Sequence, residues 1–310
     1  MTALRIAALR VDETFPALGT RVRLLISAPD APGLAARARA EIAVFEARCS
    51  RFRPDSELCA LNADPRRSVA ASPELRAAVA AALWAAERSG GLVDPTLLTA
   101  LEAAGYTHSL ARTKTFDVPV RAPARAGTET FDVPVRAAAR PDAAWRSIAV
   151  DDAAGTITRP PGLRSELGGS GQGHIADRVA ALLGGARAYV VDAGGDVALR
   201  GEHEVLVEHP LRREPAARLR VADSAIATSS VARRAWRGAG DTPAHHLLDP
   251  ATGRPARTGL LAATALGPTV LEAETLAKVA LLTGSGAVLE ERGGLTVDAA
   301  GSVTIHGALA

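Results

Sequence analysis

The densest concentration of reactive side chains in this 310-residue chain is the stretch 244–255, which opens Ala-His-His-Leu-Leu-Asp-Pro. It offers two imidazoles (His245 and His246), the Asp249 carboxylate and the Thr252 hydroxyl. Asp-Pro followed by Thr-Gly turns the chain sharply, because proline fixes φ and glycine supplies unusual dihedrals. Leu247 and Leu248 fit the end of a buried strand, and a strand ending in a polar turn aims side chains into a cleft. Of seven histidines, only these two are adjacent. Side chains of these types, aimed into one cleft, could take part in chemistry there. The alternative is one imidazole capping the turn and the other solvated.

Three further segments carry chemistry. Residues 165–177 (SELGGSGQGHIAD) place four glycines ahead of a helix, where backbone N–H groups and the helix dipole favour an anion. The spacing matches neither the P-loop nor the dinucleotide fingerprint, and close helix packing is the competing explanation. Residues 188–197 form an apolar strand ending in Gly194-Gly195-Asp196. The loop Ser50-Arg51-Phe52-Arg53-Pro54-Asp55-Ser56 sets two guanidiniums around a ring, suited to a phosphate or a planar ligand, while Asp55 or Ser56 is equally placed to cap the next helix. Asp94-Pro95-Thr96 and Asp249-Pro250, each with a threonine close behind, suggest polar loops converging on one cleft.

The elements that must position these residues follow from periodicity. Residues 20–27 read as a strand, 33–48 and 72–88 as helices, the second with Ser72 as N-cap and Pro73 at its first position. Residues 145–150 and 155–159 read as a hairpin around Asp151-Asp152. Further strands are expected at 204–207, 218–221, 225–230 and 261–266, a helix at 270–282, and a closing hairpin at 295–297 and 303–305. Strands and helices mix without strict alternation, which points to an α+β fold of mixed sheets packed with helices. The reading is one large domain over 1–310 with an insertion near 111–143. There Thr-x-Thr-Phe-Asp-Val-Pro-Val-Arg-Ala occurs twice with a period of 15 residues. That period is too short for a solenoid repeat, and the composition suits a mobile surface loop.

Composition excludes several classes. A net charge of +2 on 36 basic and 34 acidic residues, with no long run of one sign, argues against a nucleic-acid or membrane surface. No apolar run approaches the roughly 18 residues of a membrane span. Charges within residues 1–10 leave no room for the apolar core of a signal peptide, so a cytoplasmic location is expected. Two cysteines, Cys49 and Cys59, lack framework or zinc spacing and read as buried or half-buried thiols.

Five segments in this order resemble the ApbE family of FAD:protein FMN transferases: SRFRPDSELCALN (50–62), GLVDPT (91–96), LGGSGQGHIAD (167–177), VDAGGD (191–196), and 225–253 with its ATSS and HHLLDPATG. The resemblance runs from about Phe15 to about Gly284. It implies an enzyme that binds FAD and moves its FMN half onto a threonine hydroxyl of an acceptor protein, releasing AMP with help from magnesium. On that resemblance Phe52, Asp94, Gly168, Gly169, Gln172, Gly194, Gly195, Asp196, Thr228 and Lys278 line the FAD pocket. His246 or His245 acts as base, Asp249 orients the base or the turn, and Glu274 holds the cation. Since side chains alternate along a strand, only one of the two histidines can face the flavin.

The chain departs from the family pattern at two places. D-L-G-G-x-x-K-G becomes Glu166-Leu-Gly-Gly-Ser-Gly-Gln172-Gly, and the metal-binding A-D-A-L-A-T becomes Ala273-Glu274-Thr275-Leu276-Ala277-Lys278. Lys278 has only donors and cannot ligate a metal. Either Glu274 and Lys278 form a plain i, i+4 helix pair, or the ammonium takes part of the metal's place, or a single magnesium is held by Glu274 and backbone carbonyls. The departures also leave open an FAD-binding protein, or an FAD pyrophosphatase, that has lost transfer.

Overall fold

The computed structural model describes residues 11–109, 134–238 and 242–309. Its frame is an eight-stranded sheet whose strands lie in chain order: β1 (Val11–Ala17), β2 (Thr20–Ser27), β3 (Ala188–Ala193), β4 (Asp196–Arg200), β5 (Ala225–Ser230), β6 (Leu260–Gly267), β7 (Gly294–Asp298) and β8 (Val303–His306). Every neighbouring pair is antiparallel. The fold is therefore a meander whose connections have swollen into helices and hairpins, in agreement with the α+β expectation.

Alternation along the strands explains the layers. In β2, Leu24 and Ile26 join the core under the helices α1 (Ala31–Cys49), α2 (Glu57–Ala63), α3 (Pro73–Arg88), and α5 (Gly171–Leu182). Leu25 between them joins Val190, Val197 and Ile226 on the opposite face, covered by the hairpin Glu202–Val207/Ala217–Ala222. A third core packs α6 (Val270–Thr283) against β6 through Leu276, Ala280, Leu281 and Ala263. Burying one such leucine is worth roughly 1.5–3 kcal/mol, so a one-residue slip in β2 would exchange both cores at once.

Local chemistry sets the helix ends. Ser72 Oγ accepts from Leu75 N at 3.3 Å and Ser56 Oγ from Cys59 N at 3.1 Å, so of the two candidate caps in the 50–62 loop it is Ser56 that caps. The α6 N-terminus is capped twice: Thr269 Oγ1 accepts from Glu272 N at 3.2 Å, and from another helix the Asp177 carboxylate accepts from Val270 N and Leu271 N at 2.7 and 3.0 Å. That contact gives the last residue of the 167–177 motif its role.

Several expectations need adjustment. Residues 145–147 lie in a 3₁₀ turn (Ala144–Ser147), and the hairpin begins only at Ala149–Asp151 with Thr156–Thr158, because Trp145 is buried by the turn. The short helix α4 (Leu98–Ala103) and strand β1 carry too little periodicity to be seen in sequence. Of the insertion expected over 111–143, residues 110–133, with most of the repeat, lie outside the described residues. Residues 134–143 do not behave as a mobile loop. Val135 N donates to Arg257 O and Ala137 N to Leu282 O, both at 2.9 Å, and Ala137 is buried in the α6 core. Cys49 is buried and Cys59 half-buried, both free, and burial pushes the Cys49 thiol up to about 12. Among the described residues no helix is long and apolar enough to cross a membrane.

Candidate active site

The motifs converge through backbone hydrogen bonds. Asn62 and Ser165 exchange Nδ2–H···O and N–H···Oδ1 bonds, both 2.8 Å, joining the end of the 50–62 loop to the glycine loop. Glu166 N donates to Pro95 O at 2.8 Å, adding the Asp94-Pro95 segment. Thr228 N donates to Gly195 O at 3.2 Å, and His246 N to Arg234 O at 3.3 Å. These ties enclose a cleft of about 790 Å³ lined from all five motif segments. That volume lies within the roughly 300–1,000 Å³ of small-molecule and cofactor sites.

Nearly all the pocket residues expected from sequence line this cleft: Phe52, Asp94, Gly168, Gly169, Gln172, Gly194, Gly195, Asp196, Thr228, Lys278 and His246. His245 and His246 separate as the strand alternation requires. The short strand Pro243–His245 ends at His245, whose Nε2 meets Ala256 O at 3.0 Å, away from the cleft. His246 follows in a bend and faces the cleft, with Nδ1 buried and unpartnered. Burial, reinforced by the Arg234, His245 and Lys278 charges, holds the His246 imidazole well below its ordinary value. The ring is thus neutral at pH 7.

Asp249 corrects an expectation. Its Oδ1 accepts from Ala138 N and Ala251 N at 2.9 and 3.2 Å, and its Oδ2 from Thr252 Oγ1 at 2.9 Å. Two of these bonds close the turn and the third ties it to residue 138, and Asp249 neither bonds His246 nor lines the cleft. Of its two expected roles, orienting the turn is the one the structure shows.

The glycines work by clearing space more than by donating. Gly168 N is taken by Glu166 Oε2 and Gly173 N by Glu274 Oε2, both at 2.9 Å. Gly194 and Gly195, at φ +82° and +107°, make the tight β3–β4 turn, and Gly195 N is taken by Asp192 Oδ1 at 2.8 Å. A Cβ on Gly194 would stand 2.5 Å from Thr20 Oγ1, and one on Gly173 would stand 2.8 Å from Leu271 Cα, where α5 and α6 cross. The expected cradle of backbone donors over 168–173 is therefore largely spent inside the protein.

Charge here comes from side chains. Lys278 Nζ bonds Glu274 Oε1 at 2.7 Å, the i, i+4 pair that the spacing allowed, and the ammonium also borders the cleft. Arg234 donates to Gln172 Oε1 at 2.9 Å, and Gln172 Nε2 donates to Ala193 O at 3.1 Å, so one guanidinium is braced by both glycine turns. Burial, with Glu274 nearby, raises the Asp196 carboxyl well above the usual range, while Lys278 and Arg234 pull the other way. Asp94 is fixed by Thr96, whose N and Oγ1 donate to Oδ1 at 2.8 and 2.6 Å, leaving Oδ2 buried without a partner. Thr228 Oγ1 pairs with Thr264 Oγ1 at 2.9 Å.

Glu274 does not fit the metal-ligand role. Its oxygens are occupied by Lys278 and Gly173, its side chain is 1% exposed, and it does not line the cleft. Among the described residues no group of three or more His, Cys, Asp or Glu could hold a metal ion.

Another part of the cleft wall is aromatic. The Arg51 guanidinium lies 4.0 Å from the Phe52 ring centroid and 4.4 Å from that of Tyr106, and Tyr106 stacks on Trp236 at 5.0 Å. Tyr106 was missed in sequence. In a chain with only 3% aromatics, a Gly-Tyr pair just past the Asp94 segment was the available signal. Arg234 was visible only as one of three arginines after ATSS.

Comparison with known proteins places this cleft in context. The ApbE family profile matches residues 18–296. An FAD:protein FMN transferase of Treponema pallidum is 28% identical over 254 residues, which is 76% of this chain and 67% of that protein. One from Salmonella typhimurium is 32% identical over 124 residues, covering 37% of this chain and only 35% of that protein's length. Among solved structures, the ApbE protein of Thermotoga maritima aligns at TM-score 0.78 and 21% identity, over 96% of this chain and 97% of the other. The apo flavinyl transferase ApbE of Pseudomonas stutzeri aligns at 0.72 and 19%, over 98% of each. The structural likeness establishes the fold, and the profile spans nearly the whole sequence: the chain belongs to the ApbE family.

Proposed function

We propose that the protein is an FAD:protein FMN transferase, moving the FMN half of FAD onto a threonine hydroxyl of an acceptor protein. The observation that carries this reading is the position of His246, a neutral imidazole facing the same cleft as the two glycine turns and the Arg234 and Lys278 cations. A neutral imidazole is a competent general base, and neighbouring fixed cations suit a phosphate-bearing substrate. In the proposed step the threonine oxygen bonds to the FMN phosphorus and its proton passes to His246. The phosphoanhydride bond to the AMP phosphate breaks, and AMP leaves with the electron pair. Phe52, half-buried in the cleft wall with Arg51 over its ring, gives a planar ring a contact surface, and Tyr106 packs behind it. Hydrolysis of FAD without transfer would need water in the place of the threonine, and no residue in the cleft singles that out.

The test is to mix the purified protein with FAD and an acceptor bearing a target threonine, with and without magnesium. The acceptor is then run on a denaturing gel under ultraviolet light while AMP is quantified. A fluorescent acceptor band with stoichiometric AMP is expected. A dark acceptor would sink the transferase, whether AMP appears, which would mean a pyrophosphatase, or does not.

A further inference from the structure

The cationic part of the cleft holds one buried ion pair, Lys278 with Glu274, beside a guanidinium bonded to Gln172. Glu274 has one oxygen on the Lys278 ammonium and the other on Gly173 N. Lys278 in turn is 9% exposed, bordering the cleft beside Asp196, Gln172 and Arg234. A magnesium ion demands about six oxygens in octahedral array, several of them from carboxylates, carbonyls or water. Glu274 is sealed behind the ammonium, and of the carboxylates that line the cleft, Asp94 and Glu166 among them, Asp196 is the one on which Lys278 and Arg234 act. An ion bound next to Asp196 would also face the charges of Lys278 and Arg234, which act on that carboxylate, in a buried site where like charges repel strongly.

We infer that Lys278 stands in for a divalent cation: this site neutralises the phosphates of its dinucleotide with the Lys278 ammonium and the Arg234 guanidinium, and binds it without metal. Three features support this. The ammonium is immobilised at 2.7 Å by a carboxylate that has no other route to solvent, so little ordering remains to be done when a ligand arrives. The guanidinium is braced by Gln172, itself bonded to Ala193 O, so both cations are fixed on the same rim. And the backbone donors at Gly168, Gly173 and Gly195 are already engaged, leaving side-chain cations as the main source of positive charge. The cations also supply charge where it accumulates as AMP departs.

This inference rests on FAD being the substrate, and the experiment separates the two claims. FAD binding is followed by quenching of flavin fluorescence on the purified full chain, first in excess EDTA and then with millimolar magnesium. The wild-type dissociation constant is expected to change less than two-fold between the two conditions. Lys278→Met should weaken binding in EDTA by ten-fold or more, and Lys278→Arg should recover most of that loss. The double substitution Glu274→Asp with Lys278→Thr should bind poorly in EDTA and gain ten-fold or more from magnesium. Wild-type binding that requires magnesium, or strengthens ten-fold with it, overturns the inference while leaving the flavin reading intact. No FAD binding in either condition overturns both. The wild-type comparison needs no variant, so misfolding of a substituted chain does not protect the idea.

Discussion

Two parts of the cleft wall are built on opposite principles. In the aromatic part, Tyr106 stacks on Trp236 at 5.0 Å and 21° and meets Phe52 at 5.4 Å and 59°, with Arg51 over the Phe52 and Tyr106 rings. Single bonds from Arg51 to Tyr106 O and from Trp236 to Ala104 O anchor the cluster. Ring contacts have shallow energy wells and tolerate small displacements. In the charged part, directional bonds of 2.7–3.1 Å fix Lys278 through Glu274 to Gly173, and Arg234 through Gln172 to Ala193. The lesson is that a planar ring can be held by surfaces that adjust, whereas reacting phosphates need groups that are already in place before the ligand arrives.

That contrast predicts where substitution hurts most. His246→Ala in the charged part should cut transfer roughly 10²–10⁴-fold, the usual weight of a positioned general base, while FAD affinity moves only a few-fold. His245→Ala, one residue away but turned from the cleft, should leave single-turnover transfer within a few-fold of wild type. Equal losses in the two variants, measured by rapid-quench of the acceptor adduct, would break the assignment of His246. Gly194→Val comes next: its φ of +82° and the Thr20 oxygen at 2.5 Å from the new Cβ leave no room. Strain of about 1–3 kcal/mol in the turn should lower the melting temperature and displace Asp196. Phe52→Ala, in the adjustable part, should weaken FAD binding only about 3–10-fold, the scale of one lost stacking contact worth about 0.5–1.5 kcal/mol. A Phe52 variant worse than Gly194→Val in FAD binding would invert the comparison.

How much of this was legible in the sequence divides along the same line. The meander strands at 20–27, 225–230 and 261–266 and the helices at 33–48, 72–88 and 270–282 follow from periodicity and capping, because each buries one face against one layer. The pocket residues were legible as motif positions. Their partners were not. That Glu274 closes on Gly173, 101 positions away, or that Asp177 caps a helix 93 positions on, depends on the crossing of α5 and α6, which no local pattern encodes. The same gap left the two roles of Asp249 open, since the Ala138 N–H that it accepts from comes from the far end of the insertion. Tyr106 and Arg234 could not be singled out for a related reason: an isolated ring, or one guanidinium among three, acquires meaning only from what the fold brings beside it.

A pH effect on stability, leaving transfer itself untouched, tests the packing behind the cleft. His174, against Phe45 at 6.0 Å, and His245, under the turn, are both pushed down to about 4 by burial, from an ordinary value near 6.5. Each therefore binds its proton more weakly in the folded chain than in the unfolded one. Above about pH 6.5 neither state is protonated and their packing contributes fully. As pH falls from 6.5 to 4 the unfolded chain takes up protons that the folded chain refuses, so stability must fall with it. Each tenfold weakening of proton binding corresponds to about 1.4 kcal/mol, so the loss is at most about 3 kcal/mol for each ring, and less because both are only half-buried. Urea unfolding at pH 7.5, 6 and 5 should show that decline, and His174→Asn or His245→Asn should each flatten it. If neither substitution changes the slope, the imidazoles are not shielded as their surroundings imply. The neutral state assigned to His246, which rests on the same physics of burial, would then fall with them.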